Sequence, residues 1–392
     1  MAENDPYARD LARWMPRLIA TWRKARNKGR PAPGPEDRLL PQEVKEVAAG
    51  IRHLSLGLTR ERELAGAKYM DDPKLLGAYL LFYWPVSYAQ GRQVFGELQR
   101  KPRRVLDLGS GPGPLAFAAQ DAGAAEVTAA DRSRPALELA RALAAEAGEA
   151  LATREWDPHK GTGAPDGQFD AISLGHVLNE LHGTGPDAVA RRAALCEQLL
   201  QKVKPGGSLV LIEPALRDTT RALLEVRDVL VGKGFAVRAP CLFRGPSCPA
   251  LHKPSDWCHA DRAWQPPAVL DELARAASLH KESLKMAYLV LAPAGEAWPE
   301  LPAGRHFRVV SEQLEGKGRA RYMACGPEGR VGLALQQKHE TKDNRAFFFL
   351  RRGDVLGLDV TEPRGDGLAL DDRSHVKVVA PAGRPPPAPW DS

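Results

Sequence analysis

No stretch of the chain is apolar for the roughly 20 residues that a helix needs to span a bilayer. The longest apolar run, Tyr79-Leu80-Leu81-Phe82-Tyr83-Trp84-Pro85-Val86, is short and contains a proline, so no membrane association is expected. The opening residues, MAENDPYARD, lack a signal-peptide core, and a cytoplasmic chain is the expectation. Cysteine is scarce: five residues in 392 are too few for a disulfide scaffold. In a cytosolic chain, clustered cysteines lean instead toward metal binding or catalysis. No C-x-x-C knuckle is present, and no internal repeat. Neither sign of charge dominates, with 55 basic against 49 acidic residues and a net +6; this permits a polyanionic partner without requiring one. At 43% apolar and 27% charged residues, the composition excludes whole-chain disorder, a coiled coil and a collagen-like chain.

What is present falls into four parts. Residues 1–100 read as a helical region, with apolar residues at helical spacing over Val44–Leu58 and Pro73–Leu98. A basic arm (Arg9, Arg13, Arg17, Arg23, Lys24, Arg26, Lys28 and Arg30) precedes them and ends in the linker-like GRPAPGPED. It reads either as a solvated surface or as an RNA-facing arm. Residues 101–295 alternate strand and helix patterns (RRVLDL, EVTAAD, FDAISLG, SLVLIEP), the rhythm of a doubly wound parallel sheet, interrupted by a cysteine-rich insert over 240–265. Over 303–382 the short runs HFRVV, RARYMAC, VGLALQQ, AFFFL, DVLGLDV and HVKVV predict a small all-β domain, OB-like in form. Residues 383–392 are a proline-rich tail.

The run Val105-Leu106-Asp107-Leu108-Gly109-Ser110-Gly111-Pro112-Gly113 sits where a Rossmann-like sheet binds its ligand, and its glycines let backbone approach that ligand closely. Asp131, with Arg132 beside it, ends the next strand 24 residues after Asp107, where a carboxylate can accept hydrogen bonds from ribose hydroxyls. A dinucleotide fingerprint wants a sixth-position glycine; here that position is Pro114. The pattern resembles class I S-adenosylmethionine-dependent methyltransferases instead. The Trp156-Asp157 pair can flank an adenine, and Val203–Leu209 fits the turn and strand after the fourth helix of that class. After the fourth strand, Ser173–Glu180 lacks the Asn- or Asp-Pro-Pro-aromatic run that marks methylation of exocyclic base nitrogens. His176 and Glu180 are placed for acid–base work, for cofactor contact or for a structural role. No catalytic residue is assigned.

Four cysteines read as one set. Six residues separate Cys241 from Cys248, nine separate Cys248 from Cys258, and 66 separate Cys258 from Cys325. The insert around the first three is poor in apolar side chains, and a metal offsets the ordering entropy of such a loop. Four thiolates suit a tetrahedral zinc or an iron–sulfur cube, and the wide spacing leans toward a cluster. Two alternatives stand beside this: Cys325 as an ordinary buried strand residue, and His259 closing a zinc site in its place. Cys196, on a helix face with Leu195, Leu199 and Leu200, reads as core.

The order LSLGLTRER, AYLLFYWPVSY, VLDLGSGPG, SLGHVLNEL, the CP…DWCH block and a late CGPEG resembles the methyltransferase-like assembly proteins of the mitochondrial small ribosomal subunit and their bacterial relatives. The resemblance covers about residues 40–360. It implies an α/β class I methyltransferase fold with a helical N-terminal segment, an S-adenosylmethionine site at Asp107, Gly109–Gly113, Asp131, Arg132, Trp156, Asp157 and His176, and a 4Fe–4S cluster on Cys241, Cys248, Cys258 and Cys325. It also implies binding to small-subunit ribosomal RNA in ribosome assembly, without a membrane and as a monomer. The family's first cysteine sits in a Cys-Pro-His-like run; here Leu242 and Phe243 follow Cys241, with the spacing to Cys248 kept. Two further readings compete. One is an active RNA methyltransferase with His176, Asn179 and Glu180 as helpers. The other is a small-molecule or protein methyltransferase with a structural zinc.

Overall fold

The computed structural model describes residues 7–30, 33–64, 68–301, 303–314, 316–365 and 367–385, the side chain of Arg60 excepted. Most of the proline-rich tail therefore lies outside the described residues, as does part of the linker after the basic stretch. That stretch is not a free arm. It forms helix α1 (Ala8–Arg26), which buries Leu11, Trp14, Met15, Leu18, Ile19 and Trp22, the spacing of one helical face. The buried face packs against α6 (Arg134–Ala147). Several basic side chains find carboxylates: Arg13 pairs with Asp121, Lys24 with Glu146 and Arg26 with Glu46. Arg23 is buried and bidentate to Glu43 of α2 (Pro41–Ser55), at 2.9 and 2.7 Å.

The single helix expected over 73–98 is interrupted. It runs as α3 (Pro73–Ala78), a wide π turn (Tyr79–Tyr83) and α4 (Trp84–Phe95). Pro85 explains the break: it has no N–H to give and its ring crowds the carbonyl four residues back. The wide turn lets the helix continue past that point.

The central sheet contains β1 (Arg104–Leu108), β2 (Glu126–Asp131), β3 (Ala152–Glu155), β4 (Phe169–Gly175), β5 (Val203–Pro214), β6 (Val237–Ala239), β7 (Ala260–Ala263) and β8 (Ser283–Leu291). Its order is β3-β2-β1-β4-β5-β8-β6, with β7 also on β8. Strands β1 to β5 are parallel, and β8 enters antiparallel beside β5. That order is class I methyltransferase-like. Strands β1, β2, β4 and β5 read as largely apolar runs because both faces are covered, while β3 at the edge is polar and exposed. Helices α4 and α5 (Pro114–Asp121) pack with α1 in one core. Helices α7 (Ala188–Leu200) and α8 (Arg217–Gly232) pack on the other side, where Cys196 is core as expected. Helix α9 (Ala268–Ala276) leads from β7 to β8. Part of the insert is thus regular structure, since β7 lies within it.

A second sheet follows, built of β9 (Arg305–Val309), β10 (Arg319–Gly326), β11 (Gly329–Gln336), β12 (Val355–Leu358), β13 (Glu362–Arg364), β14 (Gly367–Leu370) and β15 (Val376–Ala380). It is mostly antiparallel, in the order β13-β14-β11-β10-β9-β12-β15, with β11 and β14 parallel. The OB-like barrel expected here is a five-stranded closing form; the described strands pair instead in an open seven-stranded path. The run AFFFL is not a strand either but a 3₁₀ turn, Arg345–Phe349. Asn344 imposes the turn. Its buried amide accepts from Thr341 N and donates to the carbonyls of His339 and Asp371. Phe347 then enters the core while Phe349 is left outside.

The three parts meet at Glu97, just beyond α4. Its buried carboxylate accepts from Tyr288 Oη on β8 at 2.6 Å and from Arg262 on β7 at 3.2 Å. Arg308 on β9 approaches the other oxygen at 3.5 Å. Glu97→Ala leaves two buried guanidinium groups without their carboxylate. We expect a loss of about 3–5 kcal/mol, read as a lower urea midpoint at unchanged slope; a wild-type midpoint would mean that the junction contributes nothing.

Candidate functional site

The turn after β1 is shaped for close approach. Gly109, Gly111 and Gly113 all adopt positive φ, at 67°, 51° and 83°. A Cβ on Gly109 would stand 2.3 Å from Val177 Cγ2, so only glycine fits. The end of β2 holds the turn. Gly109 N and Ser110 N donate to Ala130 O at 2.7 and 3.1 Å, and Gly111 N donates to Asp131 Oδ2 at 2.7 Å. Trp84 Nε1 donates to Pro112 O from the helical side.

Beside this turn lies a cavity of about 380 Å³, within the range of small-molecule sites. Of the eleven residues expected at the cofactor, Gly109, Asp131, Arg132, Trp156 and His176 line it. Ser110, Gly111, Pro112 and Gly113 form the turn next to it without lining it. Asp107 lies deeper, accepting from Ser173 Oγ at 2.8 Å; burial pushes its carboxyl up to about 7. Asp157 turns away and accepts from His159 N at the head of a 3₁₀ turn.

His176 directly follows β4 and has φ 61°. Its Nε2 lies 2.9 Å from Gln90 Oε1, and Gln90 Nε2 donates to Lys285 O. That second bond fixes the amide, so His176 must donate from Nε2 and keep Nδ1 as an acceptor. Burial, helped by Lys281, brings the imidazole down to about 4, so it is neutral at pH 7.

Sequence reasoning missed Glu213, the residue that positions the HVLNEL run. It sits near the end of β5, buried, and accepts from Leu178 N at 2.9 Å, Asn179 N at 3.4 Å and Asn179 Nδ2 at 2.5 Å. Arg62 holds Asn179 Oδ1 from the other side at 2.7 Å. These bonds bring Asn179 and Glu180 to the cavity wall. A lone acid closing an apolar strand was the only available signal.

The four cysteines of the set line a second, smaller cavity of about 70 Å³, several times the ~10–15 Å³ that a water occupies on this measure. Three come from the insert and Cys325 from β10. Arginines order the insert by satisfying its carbonyls. Arg227, fully buried on α8, donates to Phe243 O and Gly245 O. Nearly two turns earlier on the same helix Arg221 donates to Lys253 O and Asp256 O. Asp228 accepts from Cys248 N, and Arg330 pairs with Asp256.

Burial first, and then the neighbouring thiols, raises three of these thiols: Cys258 to about 11, Cys248 to about 12 and Cys325 further still. Four thiolates there need a compensating cation. Among the described residues, no three His, Cys, Asp or Glu side chains form a group that could hold a single metal ion. The cavity wall does suit a larger anionic assembly. Among the described residues, the Nε–H groups of Arg227, Arg262 and Arg308, three of its lining residues, are buried without an acceptor. His259 also lines the cavity, with Nδ1 buried and unpartnered and its ring stacked near Trp257.

Burial also pushes the Glu213 carboxyl up to about 8 from an ordinary 4.5. Folded chain then keeps a proton that unfolded chain releases. The stability from Glu213 is full below its unfolded value and is lost as pH rises through its folded value. We expect the thermal midpoint to fall between about pH 5 and pH 8 and the Glu213→Gln variant to show a shallower fall; equal slopes would contradict the assignment.

The chain matches the family model described as mitochondrial small ribosomal subunit Rsm22 over residues 76–355. No curated protein matches it in sequence. Among solved structures it is similar to the ribosomal protein L11 methylase from Lactobacillus delbrueckii subsp. bulgaricus, at 18% identity over 53% of this chain and 77% of that one, with a TM-score of 0.32. It is similar also to the plantazolicin methyltransferase BpumL in complex with SAH, at 12% identity over 64% and 98%, TM-score 0.36. A third is a SAM-dependent methyltransferase from Geobacter sulfurreducens in complex with S-adenosyl-L-homocysteine, at 19% identity over 52% and 90%, TM-score 0.32. At such scores the fold rests on the strand order, not on these likenesses. The family match takes in the glycine turn, Glu213 and all four cysteines of the set, and it spans more than half of the chain, which therefore belongs to the Rsm22 family of the mitochondrial small ribosomal subunit.

Proposed function

We propose that the chain is an S-adenosylmethionine-binding, methyltransferase-like protein that carries a 4Fe–4S cluster and binds small-subunit ribosomal RNA during ribosome assembly. The observation that carries the reading is the meeting of four cysteines, three from the insert and one from β10, in one arginine-lined cavity of a chain of this family. Cys241, Cys248, Cys258 and Cys325 would hold the cluster, which ties the insert to the C-terminal sheet. The working form is a monomer. Among the described residues no helix is long and apolar enough to cross a membrane. The location is wherever small subunits are assembled: the cytoplasm by the sequence expectation, or the mitochondrion of the family's description.

In the larger cavity, Asp131 would receive the ribose. Its oxygens already accept from Gly111 N and Ser133 N, and each keeps a further lone pair. Trp156 supplies a buried aromatic wall. When bound, S-adenosylmethionine supplies an electrophilic methyl group. His176, neutral and fixed by Gln90, presents Nδ1 as an acceptor. A base held near pH 4 is too weak for efficient proton abstraction at neutral pH, so it orients a ligand. This favours a binding and assembly role. Methyl transfer to RNA is the second reading, supported by Asn179 and Glu180 on the same wall.

Purified without oxygen, the protein should be brown, with about four irons and four acid-labile sulfides per chain, and Cys325→Ser should lose them. One zinc and no sulfide would remove the cluster from the proposal. Binding to small-subunit ribosomal RNA should weaken linearly in log affinity against log salt; no affinity at low salt would end the assembly reading. Isothermal titration should detect S-adenosylhomocysteine binding, weakened on the order of tenfold or more in Gly109→Ala by backbone strain and by the collision with Val177. Equal affinity in the variant would place the cofactor elsewhere.

A further inference from the structure

A third cavity lies at the opposite edge of the central sheet from the glycine turn. Ligands of open α/β sheets bind at the carboxyl ends of the strands; this cleft sits at their amino ends, beside the start of β1 and the turn that opens β5. It measures about 560 Å³. One wall is the segment 98–104, the other the turn 204–208.

Six cations line it against two carboxylates, Glu126 and Asp170. Both carboxylates are already engaged. Asp170 accepts from Lys204 Nζ at 3.0 Å and from the backbone N–H groups of Arg103 and Arg104 at 3.1 and 2.7 Å. Glu126 lies 3.5 Å from Arg104. Arg238 is held on the floor by Gly206 O, Ser208 Oγ and Glu296. Three cations remain: Arg100, Lys101 and Arg103 are exposed, and their side chains have no hydrogen bond or ion pair among the described residues. Gly206 makes room for one of them. At φ 79° it carries no Cβ where one would stand 2.5 Å from Arg100 Nη1.

A concave surface with neutralised acids and three cations left over on one short segment is matched to a chain of phosphates, each of which exchanges condensed counterions for a fixed cation. We infer that this cleft is a contact site for the phosphodiester backbone of RNA, formed by Arg100, Lys101 and Arg103 over the 204–208 turn. The inference rests on the RNA-binding reading above and assigns part of that binding to the edge remote from the cofactor cavity. Phosphate contacts set position and affinity rather than sequence preference, so the site predicts a strong salt term.

The test compares three full-length proteins on purified small-subunit ribosomal RNA across a salt series. One is wild type. The second carries Arg100→Gln, Lys101→Gln and Arg103→Gln. The third carries Arg141→Gln, Arg191→Gln and Arg275→Gln, three exposed positions on α6, α7 and α9, and so has the same net charge as the second. The expected result is a loss of affinity on the order of tenfold or more in the cleft variant alone, with the log–log salt slope smaller by about 2–3. Its melting temperature and S-adenosylhomocysteine affinity should stay at wild-type values, because the substituted side chains are exposed and distant from that cavity. Unchanged RNA affinity in the cleft variant, or equal loss in both variants, overturns the inference while leaving RNA binding standing. If wild type itself binds no RNA, the functional reading falls and the cleft assignment falls with it.

Discussion

The architecture depends on one buried carboxylate. Glu97 receives Tyr288 and Arg262 from the central sheet and faces Arg308 from the second sheet. A buried ion pair of this kind adds little net stability against an apolar alternative, yet removing one member leaves uncompensated charge. The arrangement therefore fixes geometry more than it adds free energy. Arg262 and Arg308 also line the cysteine cavity. The same two guanidinium groups thus face a fixed negative charge on one side and the thiol ring on the other. Docking of the second sheet and the electrostatics of that ring cannot be varied independently.

The cavity beside the glycine turn shows a related economy of design. Its walls come from separate segments, each pinned by a buried acid or amide: Asp131 holds the glycine turn, Glu213 holds the HVLNEL run, and Gln90 holds His176. Buried polar groups with their partners in place specify one arrangement of a loop, because every alternative leaves some of them unsatisfied. The loops around the cavity are ordered in this way rather than by apolar packing.

Much of the fold was legible in the sequence. Parallel strands covered on both faces leave continuous apolar runs, and helices leave a 3.6-residue stripe, so the order of β1, β2, β4 and β5 along the chain could be read directly, whereas the short strands β3, β6 and β7 leave no such run. The glycine turn was legible because only glycine tolerates its positive φ, and the first three cysteines of the set because they share one apolar-poor insert; the arrival of Cys325 at the same cavity is seen only in the fold. Several of the misreadings share one cause: side-chain hydrogen bonds that carry no periodic signal. Asn344 bends three successive phenylalanines into a turn that composition reads as a strand. Arg23 and its neighbours read as an arm because nothing in the run reveals their partners, Glu43, Glu46, Asp121 and Glu146. Glu97 and Glu213 are single acids beside apolar segments and could be recognised only once the segments were folded around them.

The position of Cys325 has a consequence for how the protein is made. Domains emerge from the ribosome and fold in order from the N-terminus. The insert with Cys241, Cys248 and Cys258 is synthesised well before β10, and its thiol ring stays open until the second sheet has been translated, paired and docked. A nascent chain that has completed the methyltransferase-like domain therefore holds three of the four cysteines without the fourth for the time that translation of the remaining strands takes. Closure of the ring is a late event in biogenesis, and a chain truncated before residue 325 can be folded in its central sheet and still lack it.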